Sequence, residues 1–382
     1  MPGPSPVAIR YAGLLAAVFL GVGVAMPFVP PFLAARGLSA QEVAAVLFAG
    51  SLVRLFAGPP LGRAADLLGD GRRLLIPCAA GAAALALLFL PAGGFAALLA
   101  LQVLFSLAVA AVVPIAEAMW VATSRREGLD YGRVRASGSA AFIVGALATG
   151  WLAARAGYDA VPPLLALSYA AVAVAAWWLP AALAGRPAAR SGAFALHLLR
   201  VPGFGRLVAL SALIQGSHAA YYGFASIHWL AAGHSAEVVG LLWAEAVLVE
   251  VVMFFFAGRL FRDVSPRGLT ALAVGAVILR WSGTAAATEL PFLLALQALH
   301  AITFGAQHLA AMRWIAAHAP AGEALSAQSL HAALGNTAPL ALAMLAAGPL
   351  YAASGAGVFL GAALMGVAAV PVVLGWRAGR GA

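Results

Sequence analysis

The chain has 382 residues, of which 64% are apolar and only 9% are charged, and its formal net charge is +9. Soluble domains carry about 25% charged residues, so this composition excludes a water-soluble globular protein and favours a membrane protein. All 22 basic residues are arginines that lie mainly in short loops, which indicates membrane topology rather than nucleic-acid binding. The single Cys78 excludes an internal disulfide and a thiolate metal cluster.

Twelve hydrophobic stretches follow one another along the chain. Because these stretches are continuous and do not alternate with polar residues every second position, they predict helices rather than the strands of a barrel. A spanning helix needs roughly 20 apolar residues. The predicted fold class is therefore an all-α polytopic membrane protein of twelve transmembrane helices, at about 9–34, 41–63, 74–91, 95–120, 134–154, 161–184, 205–231, 237–259, 268–287, 290–313, 325–350 and 357–376.

The arginines are distributed unequally between the two sides of these spans. With the N-terminus inside, eighteen arginines flank the cytoplasmic ends, whereas the outside loops hold only Arg36 and Arg155. Arg54 and Arg280 lie within the membrane. Since basic residues accumulate in cytoplasmic loops, this asymmetry predicts that both termini are cytoplasmic.

The longest polar connection lies between spans six and seven, at residues 185–203. It predicts an N-terminal six-helix half at 1–185, a cytoplasmic linker at 186–203 and a C-terminal six-helix half at 204–382. Two six-helix halves are the plan of the major facilitator superfamily.

The loop between spans two and three reads GRAADLLGDGRR at 62–73. It resembles the superfamily motif GxxxDxxG[RK][RK], with two extra residues before the arginine pair. Glycine permits a tight turn, and an aspartate at a helix end caps the helix or pairs with arginine. We therefore expect a cytoplasmic gating loop formed by Gly62, Asp66, Gly69, Arg72 and Arg73.

Five charged residues inside the predicted spans are singled out here by their depth, and such residues are functional candidates because they are costly in lipid. At 1.5 Å per residue from the nearest cytoplasmic arginine, Arg54, Glu117 and Glu250 lie about 12–13 Å deep, and Arg280 and Glu245 about 20 Å deep. Both levels hold opposite charges. We expect these groups to face one another or water.

Spans seven and ten each carry a stripe of polar residues at helical spacing, which indicates the lining of a cavity. Span eleven adds His331 and Asn336. The two stripes consist of Gln215, His218 and Tyr222 in span seven and of Gln297, His300, Thr303 and Gln307 in span ten, where His308 follows.

Several of these residues belong to motifs that resemble the 3-phenylpropionate permease family, a branch of the major facilitator superfamily similar to the lactose permease. The resemblance runs along essentially the whole chain and is most specific in span seven. It implies a proton-coupled importer in a bacterial inner membrane. The motifs are DYGRVR at 130–135, GSAAF at 138–142, QGSHAAYYGF at 215–224, RW at 280–281 and HLAAMR at 308–313.

The resemblance places Arg54, Glu250 and Arg280 on charged positions of the family pattern. Glu117 stands where the family usually has the shorter aspartate. Glu245 is a departure, because the family pattern is apolar there, and an added carboxylate alters the cavity.

These observations favour a proton symporter that works by alternating access around a central site. The candidate proton carriers are Glu250, Glu117 and Glu245, because a carboxylate in an apolar cavity readily holds a proton. Arg280 is the candidate for an anionic group of the substrate, since guanidinium matches a carboxylate with two hydrogen bonds. The other substrate-binding candidates are Arg54, Gln215, His218, Tyr221, Tyr222, Trp229, Trp281, His300, Gln307, His308 and Asn336, of which the tyrosines and Trp229 and Trp281 would form an aromatic wall.

The sequence leaves other functions open. A sugar or nucleoside symporter would pair Arg280 structurally with Glu245, and export, solute sensing or an intramembrane enzyme are further alternatives. The sequence shows no metal-type cluster and no compact nucleophile–base motif. We expect no cofactor, the proton gradient as energy source, and a monomer whose partners are a small solute, protons and the lipid bilayer, with no nucleic acid.

The predicted topology is testable by cysteine labelling in a Cys78→Ala background. A cysteine introduced near Ser191 should react only with reagents that reach the cytoplasm, because the arginines hold that loop inside. Labelling of the same residue from the outer side of intact cells would contradict the two-half organisation.

Overall fold

A computed structural model describes residues 5–180 and 196–376, and these residues contain helices and turns but no strand. Their helices group into twelve successive spans, as the sequence predicts, and ten of them are long and apolar enough to cross a bilayer. Of the other two, Arg72–Leu88 has only 17 residues. The second is the seventh span, which contains the polar stripe of Gln215, His218 and Tyr222. The predicted all-α membrane fold is confirmed.

The described residues divide into two compact units. The first unit takes in those of Met1–Ala188 together with Gly233–Ala244, and the second takes in those of Ala189–Ala232 together with Glu245–Ala382. The predicted linker at 186–203 lies mostly outside the described residues. Of its described part, Leu196–Arg200 forms a 3₁₀ turn.

Seven helices belong to the first unit. The span at 95–127 is interrupted at Ala110 and Ala111, because Pro114 has no N–H to donate to the carbonyl four residues before it. The helices are α1 (Pro6–Ala35), α2 (Ala40–Leu68), α3 (Arg72–Leu88), α4 (Phe95–Val109), α5 (Val112–Glu127), α6 (Tyr131–Ala156) and α7 (Val161–Trp178), with a 3₁₀ turn at Tyr158–Ala160.

Helix α10 (Ala236–Leu260) begins in the first unit and continues into the second. The remaining helices of the second unit are α8 (Phe204–Ala220), α9 (Ser226–Ala231), α11 (Pro266–Ala286), α12 (Leu290–Ala298), α13 (Gln307–His318), α14 (Ala324–His331), α15 (Ala338–Ser354) and α16 (Gly357–Leu374). Three of its spans contain a π-helical turn, at Tyr221–Ala225, Ala301–Ala306 and Ala332–Thr337. Such turns are frequent at functional sites, and each of these three lies within three residues of a histidine of its own span.

The loop after α2 turns at Gly69, whose φ of +68° is the left-handed conformation that glycine adopts without strain. Asp70, which the sequence analysis did not single out, makes the principal polar contacts of this loop. Its carboxylate accepts from the backbone N–H of Arg72 at 3.1 Å and from the Arg72 side chain at 2.6 Å. Asp66, the residue expected to cap or pair, lies exposed in the last turn of α2.

Burial acts to raise the pKa of Asp70, but the hydrogen bonds from Arg72 and the charges of Arg72 and Arg73 outweigh it, so the pKa lies below its ordinary value. A lowered pKa stabilises the folded state above the unfolded value of about 4, and this stabilisation disappears as the pH falls through the folded value. Arg72 also donates to the carbonyl of Leu179 at 2.6 Å, so the ion pair ties the loop to the end of α7.

We therefore predict that Asp70→Asn lowers the free energy of unfolding in detergent at pH 7 by about 1–3 kcal/mol, the worth of a hydrogen-bonded buried charge. The difference from the unmutated protein should shrink as the pH falls below about 4. Asp66→Asn, on the exposed face of the same loop, is the matched control and should change stability little. Equal effects of the two substitutions at pH 7 would contradict the assignment.

Candidate functional site

Arg280 of α11 is surrounded by polar and aromatic side chains of the second unit and is only 1% exposed. Its guanidinium donates to Gln297 Oε1 at 2.5 Å, to His300 Nδ1 at 3.0 Å and to Thr303 Oγ1 at 3.1 Å. All three acceptors are electrically neutral side chains of the following span. Arg280 is thus solvated by the protein in place of water.

Two aromatic rings cover the faces of this guanidinium. Its Cζ atom lies 4.6 Å from the ring centre of Tyr221 and 4.5 Å from that of Trp281, distances typical of cation–π contacts. Trp281 is held in turn by a hydrogen bond from its Nε1 to Ser217 Oγ at 2.9 Å. Ser217 was not singled out from the sequence.

His300 connects Arg280 to a carboxylate. A guanidinium only donates, so His300 Nδ1 accepts from Arg280, and the ring hydrogen of neutral His300 is on Nε2. This nitrogen lies 3.3 Å from Glu250 Oε2. Glu250, His300 and Arg280 therefore form a continuous chain in which the carboxylate selects the histidine tautomer that accepts from the arginine.

His218 is fully buried beside this chain. Its Nδ1 lies 2.9 Å from the carbonyl oxygen of Ile214, which can only accept, so Nδ1 carries the hydrogen. Its Nε2 then accepts from Thr303 Oγ1 at 3.1 Å. Thr303 thus accepts from Arg280 and donates to His218, and it joins the two predicted stripes.

The structure brings most of the predicted aromatic residues together around His218. Its ring centre lies 5.3 Å from that of Trp281 and 5.8 Å from that of Tyr222, and the rings of Tyr221 and Tyr222 are 5.4 Å apart. Trp229 packs against Tyr221 at 6.1 Å, and its buried Nε1 has no hydrogen-bond partner. These residues form one aromatic and polar cluster in the second unit.

The C-terminal part of the span-ten stripe belongs to a separate cluster. Gln307 Nε2 donates to Ser211 Oγ at 2.8 Å, and Ser211 Oγ lies 2.8 Å from His331 Nε2. The buried Oε1 of Gln307 has no partner. The π turn at Ala301–Ala306 changes the helical phase between Thr303 and Gln307, which the even spacing in the sequence did not reveal.

The other candidates of the second unit lie at the edges of these clusters. His308 stacks on Phe304 with the ring centres 6.4 Å apart. Gln215 is buried, and Asn336 is partly buried with no partner for its Oδ1. Glu245 is half-buried, and its Oε2 also has no partner. In the described residues Glu245 and Arg280 do not form an ion pair.

The first unit contains the remaining two charged candidates. Glu117 pairs with Arg135 at 2.6 Å and accepts from the hydroxyl of Tyr131 at 2.7 Å. Arg54 donates to Ser51 Oγ at 3.1 Å and to Ser106 Oγ at 3.4 Å. Glu117 is therefore held by a permanent cation, whereas Arg54 contacts only hydroxyl groups.

Comparisons with known proteins agree with this architecture. The profile described as "MFS_1 like family" matches residues 8–360. The chain is 36% identical over 359 residues to the "Probable 3-phenylpropionic acid transporter" of Escherichia coli (strain K12), which covers 92% of this chain and 93% of that protein. It is 26% identical to the "Maltose permease" of Geobacillus stearothermophilus, over 84% of this chain and 81% of that one.

Solved structures show the same fold at low sequence identity. The nucleoside transporter NupG superposes with a TM-score of 0.84 at 13% identity, over 97% of this chain and 98% of that chain. A bacterial homologue of the human lysosomal transporter Spinster superposes with a TM-score of 0.76 at 16% identity, over 97% of each chain.

The geometry predicts that Gln297 stabilises the buried charge of Arg280 more than Glu245 does. A double-mutant cycle of Arg280→Gln with Gln297→Leu, measured as free energy of unfolding, should give a coupling of about 1–3 kcal/mol, because the two side chains share a buried charged hydrogen bond. The matched cycle with Glu245→Gln should give a smaller coupling. A larger coupling to Glu245 would show that the charge pair, and not the neutral acceptors, holds Arg280.

Proposed function

The chain belongs to the MFS_1 like family, a family of major facilitator transporters, and on this basis we propose that it is a secondary transporter that imports a small aromatic carboxylate together with protons. Transporters of this superfamily are not enzymes, so the alternative of an intramembrane enzyme does not hold. We place the protein in a bacterial inner membrane, as a monomer that uses the proton gradient and no cofactor.

The substrate class is supported by the relative named as a probable 3-phenylpropionic acid transporter, which matches nearly the full length of the chain. The chemistry of the clusters fits such a substrate. Each unit contains a membrane-embedded arginine that forms no ion pair with a carboxylate in the described residues, Arg54 in the first and Arg280 in the second. Aromatic side chains lie beside Arg280, so an aryl ring would find stacking partners.

The observation that carries the proton coupling is the chain from Glu250 through His300 to Arg280. When Glu250 takes a proton, it loses the charge that holds the Nε2–H of His300. The ring is then held less firmly in the orientation that accepts from Arg280. Proton uptake at Glu250 would therefore change the hydrogen bonding of Arg280, which lies 20 residues before His300 in the preceding span.

The other two carboxylates, Glu117 and Glu245, are weaker candidates for the proton carrier than Glu250. Glu117 is already engaged by Arg135 at 2.6 Å and by the hydroxyl of Tyr131 at 2.7 Å. Glu245 has an unpartnered oxygen and remains the second candidate carrier. Its position near the aromatic cluster also makes it a candidate acceptor for a hydroxyl or amide of the substrate.

A neutral solute such as a sugar is the alternative that an observation favours. The maltose permease relative matches 84% of the chain, and three of the five N–H donors of Arg280 are already engaged by protein acceptors. A sugar would use the unpartnered polar atoms of Glu245, Gln307 and Asn336 as hydrogen-bond partners.

The proposal predicts that proteoliposomes accumulate 3-phenylpropionate when the outside is acidic, and that a protonophore abolishes the accumulation. Maltose and uridine, offered under the same gradient, should not accumulate. Uptake of maltose with no uptake of the aryl acid would overturn the substrate class and leave proton symport standing.

Glu250→Gln should abolish accumulation against a gradient but preserve counterflow exchange, because glutamine keeps the shape and hydrogen bonding of glutamate and carries no titratable proton. The matched control is Glu237→Gln on the same helix, at the exposed ion pair with Arg155. It should accumulate substrate as the unmutated protein does. If the Glu250 variant still concentrates substrate, the proton is carried elsewhere.

A further inference from the structure

Arg54 differs from Arg280 in its exposure. It lies in α2, nine residues before Arg63, which places it about 13 Å deep by helical rise. Despite this depth its side chain is exposed. Its hydrogen bonds go to the hydroxyls of Ser51 and Ser106, and it forms no ion pair with a carboxylate in the described residues.

The exposed side of α2 that bears Arg54 is not its lipid side. Leu52 and Phe56 are 37% and 63% exposed, and at 3.6 residues per turn they project about 160° away from Arg54. These apolar residues face lipid, because exposed leucine and phenylalanine are stable there and an exposed cation is not. The Arg54 face, which carries Gly50 and Ser51 as well, therefore borders water.

A close contact between α2 and α4 places two polar side chains of α4, Gln102 and Ser106, beside Arg54, and we call this pair the polar seat. A Cβ atom at Gly50 would lie 2.7 Å from both Gln102 Nε2 and Ser106 Oγ, so a larger residue would displace these two side chains. Ser106 is fully buried and accepts from Gln102 at 3.2 Å and from Arg54 at 3.4 Å. Ser106 thus holds both the guanidinium of Arg54 and the side-chain amide of Gln102.

An aromatic surface adjoins this seat. The ring of Tyr169 in α7 lies 5.5 Å from that of Phe105, the residue before Ser106, in an edge-on arrangement. Tyr169 packs over Gly21 of α1, where an added Cβ would meet its ring at 3.6 Å. The tyrosine is therefore fixed in place and not free to follow a ligand.

Arg280 has no comparable opening. It is 1% exposed, neutral acceptors take three of its five N–H groups, and two rings cover its faces. An anion that bound Arg280 would have to displace at least one of these contacts. Arg54 can bind an anion without losing an ion pair.

We propose that Arg54, held by Ser106 next to the rings of Phe105 and Tyr169, forms the subsite of the first unit that binds the carboxylate of an aryl acid. This inference rests on the proposed function and gives the two arginines different tasks. Arg54 contacts the substrate, and Arg280 belongs to the proton-sensitive chain. A carboxylate would accept from the exposed guanidinium of Arg54, which the buried Ser106 helps to hold in place.

The test measures binding of 3-phenylpropionate and of its neutral amide, 3-phenylpropionamide, to purified protein by isothermal titration. Arg54→Gln should weaken binding of the acid about tenfold to a hundredfold, the range expected for loss of a charge-assisted hydrogen bond. Binding of the amide should change by less than about threefold, since it presents no negative charge. Arg63→Gln, on the same helix but outside the seat, is the matched control and should bind the acid normally.

The outcomes separate this inference from the proposed function. If the unmutated protein binds the acid and Arg54→Gln binds it equally well, the subsite assignment is wrong and the aryl-acid function stands. If the unmutated protein binds neither compound, the proposed function fails and the subsite with it. Should Arg54→Gln not fold, Arg54→Lys decides, because it keeps the charge and loses the paired donors; an unchanged affinity for the acid would then overturn the inference.

Discussion

A charge inside a membrane protein has to be solvated by protein, water or a ligand, and this constraint accounts for both arginines that lie within the spans. Arg280 is solvated by protein. Gln297, His300 and Thr303 accept its hydrogen bonds, and two aromatic rings cover its faces. The polar cluster of the second unit is organised around this one cation, because each acceptor is fixed in orientation by the N–H group that it receives.

The same constraint gives His300 its importance. A histidine between a guanidinium and a carboxylate has its tautomer set from both sides, so a change of charge on Glu250 reaches Arg280 through a single ring. Thr303 extends the connection to His218. A buried network of this kind responds as a unit, since the loss of one partner leaves another polar group unsatisfied.

Arg54 illustrates the other way of solvating a charge. Its helix presents leucine and phenylalanine to lipid on one side and glycine, serine and arginine on the other. The close packing at Gly50 brings Ser106 and Gln102 to this polar side. The first unit thus offers an exposed cation, held by a buried hydroxyl, to an anion, without a competing carboxylate among the described residues at Arg54.

The sequence by itself determined the helical class, the twelve spans and the residue types at the site. Hydropathy and the loop arginines are local properties, so they can be read without knowing which helices touch, and Arg280, His300 and Glu250 were identified because a charge in lipid is rare wherever it lies.

The partners of these residues depended on the tertiary structure. Equal depth suggested Glu245 for Arg280, yet depth along a helix does not specify which side chain of a neighbouring helix points towards it, and the acceptors proved to be Gln297, His300 and Thr303. The even spacing from Gln297 to Gln307 predicted one stripe, but the π turn at Ala301–Ala306 shifts the helical phase and separates Gln307 from the others. Asp70, Ser106 and Ser217 carried no signal, because a small polar residue gains its role only from the cation, amide or ring that the fold places against it.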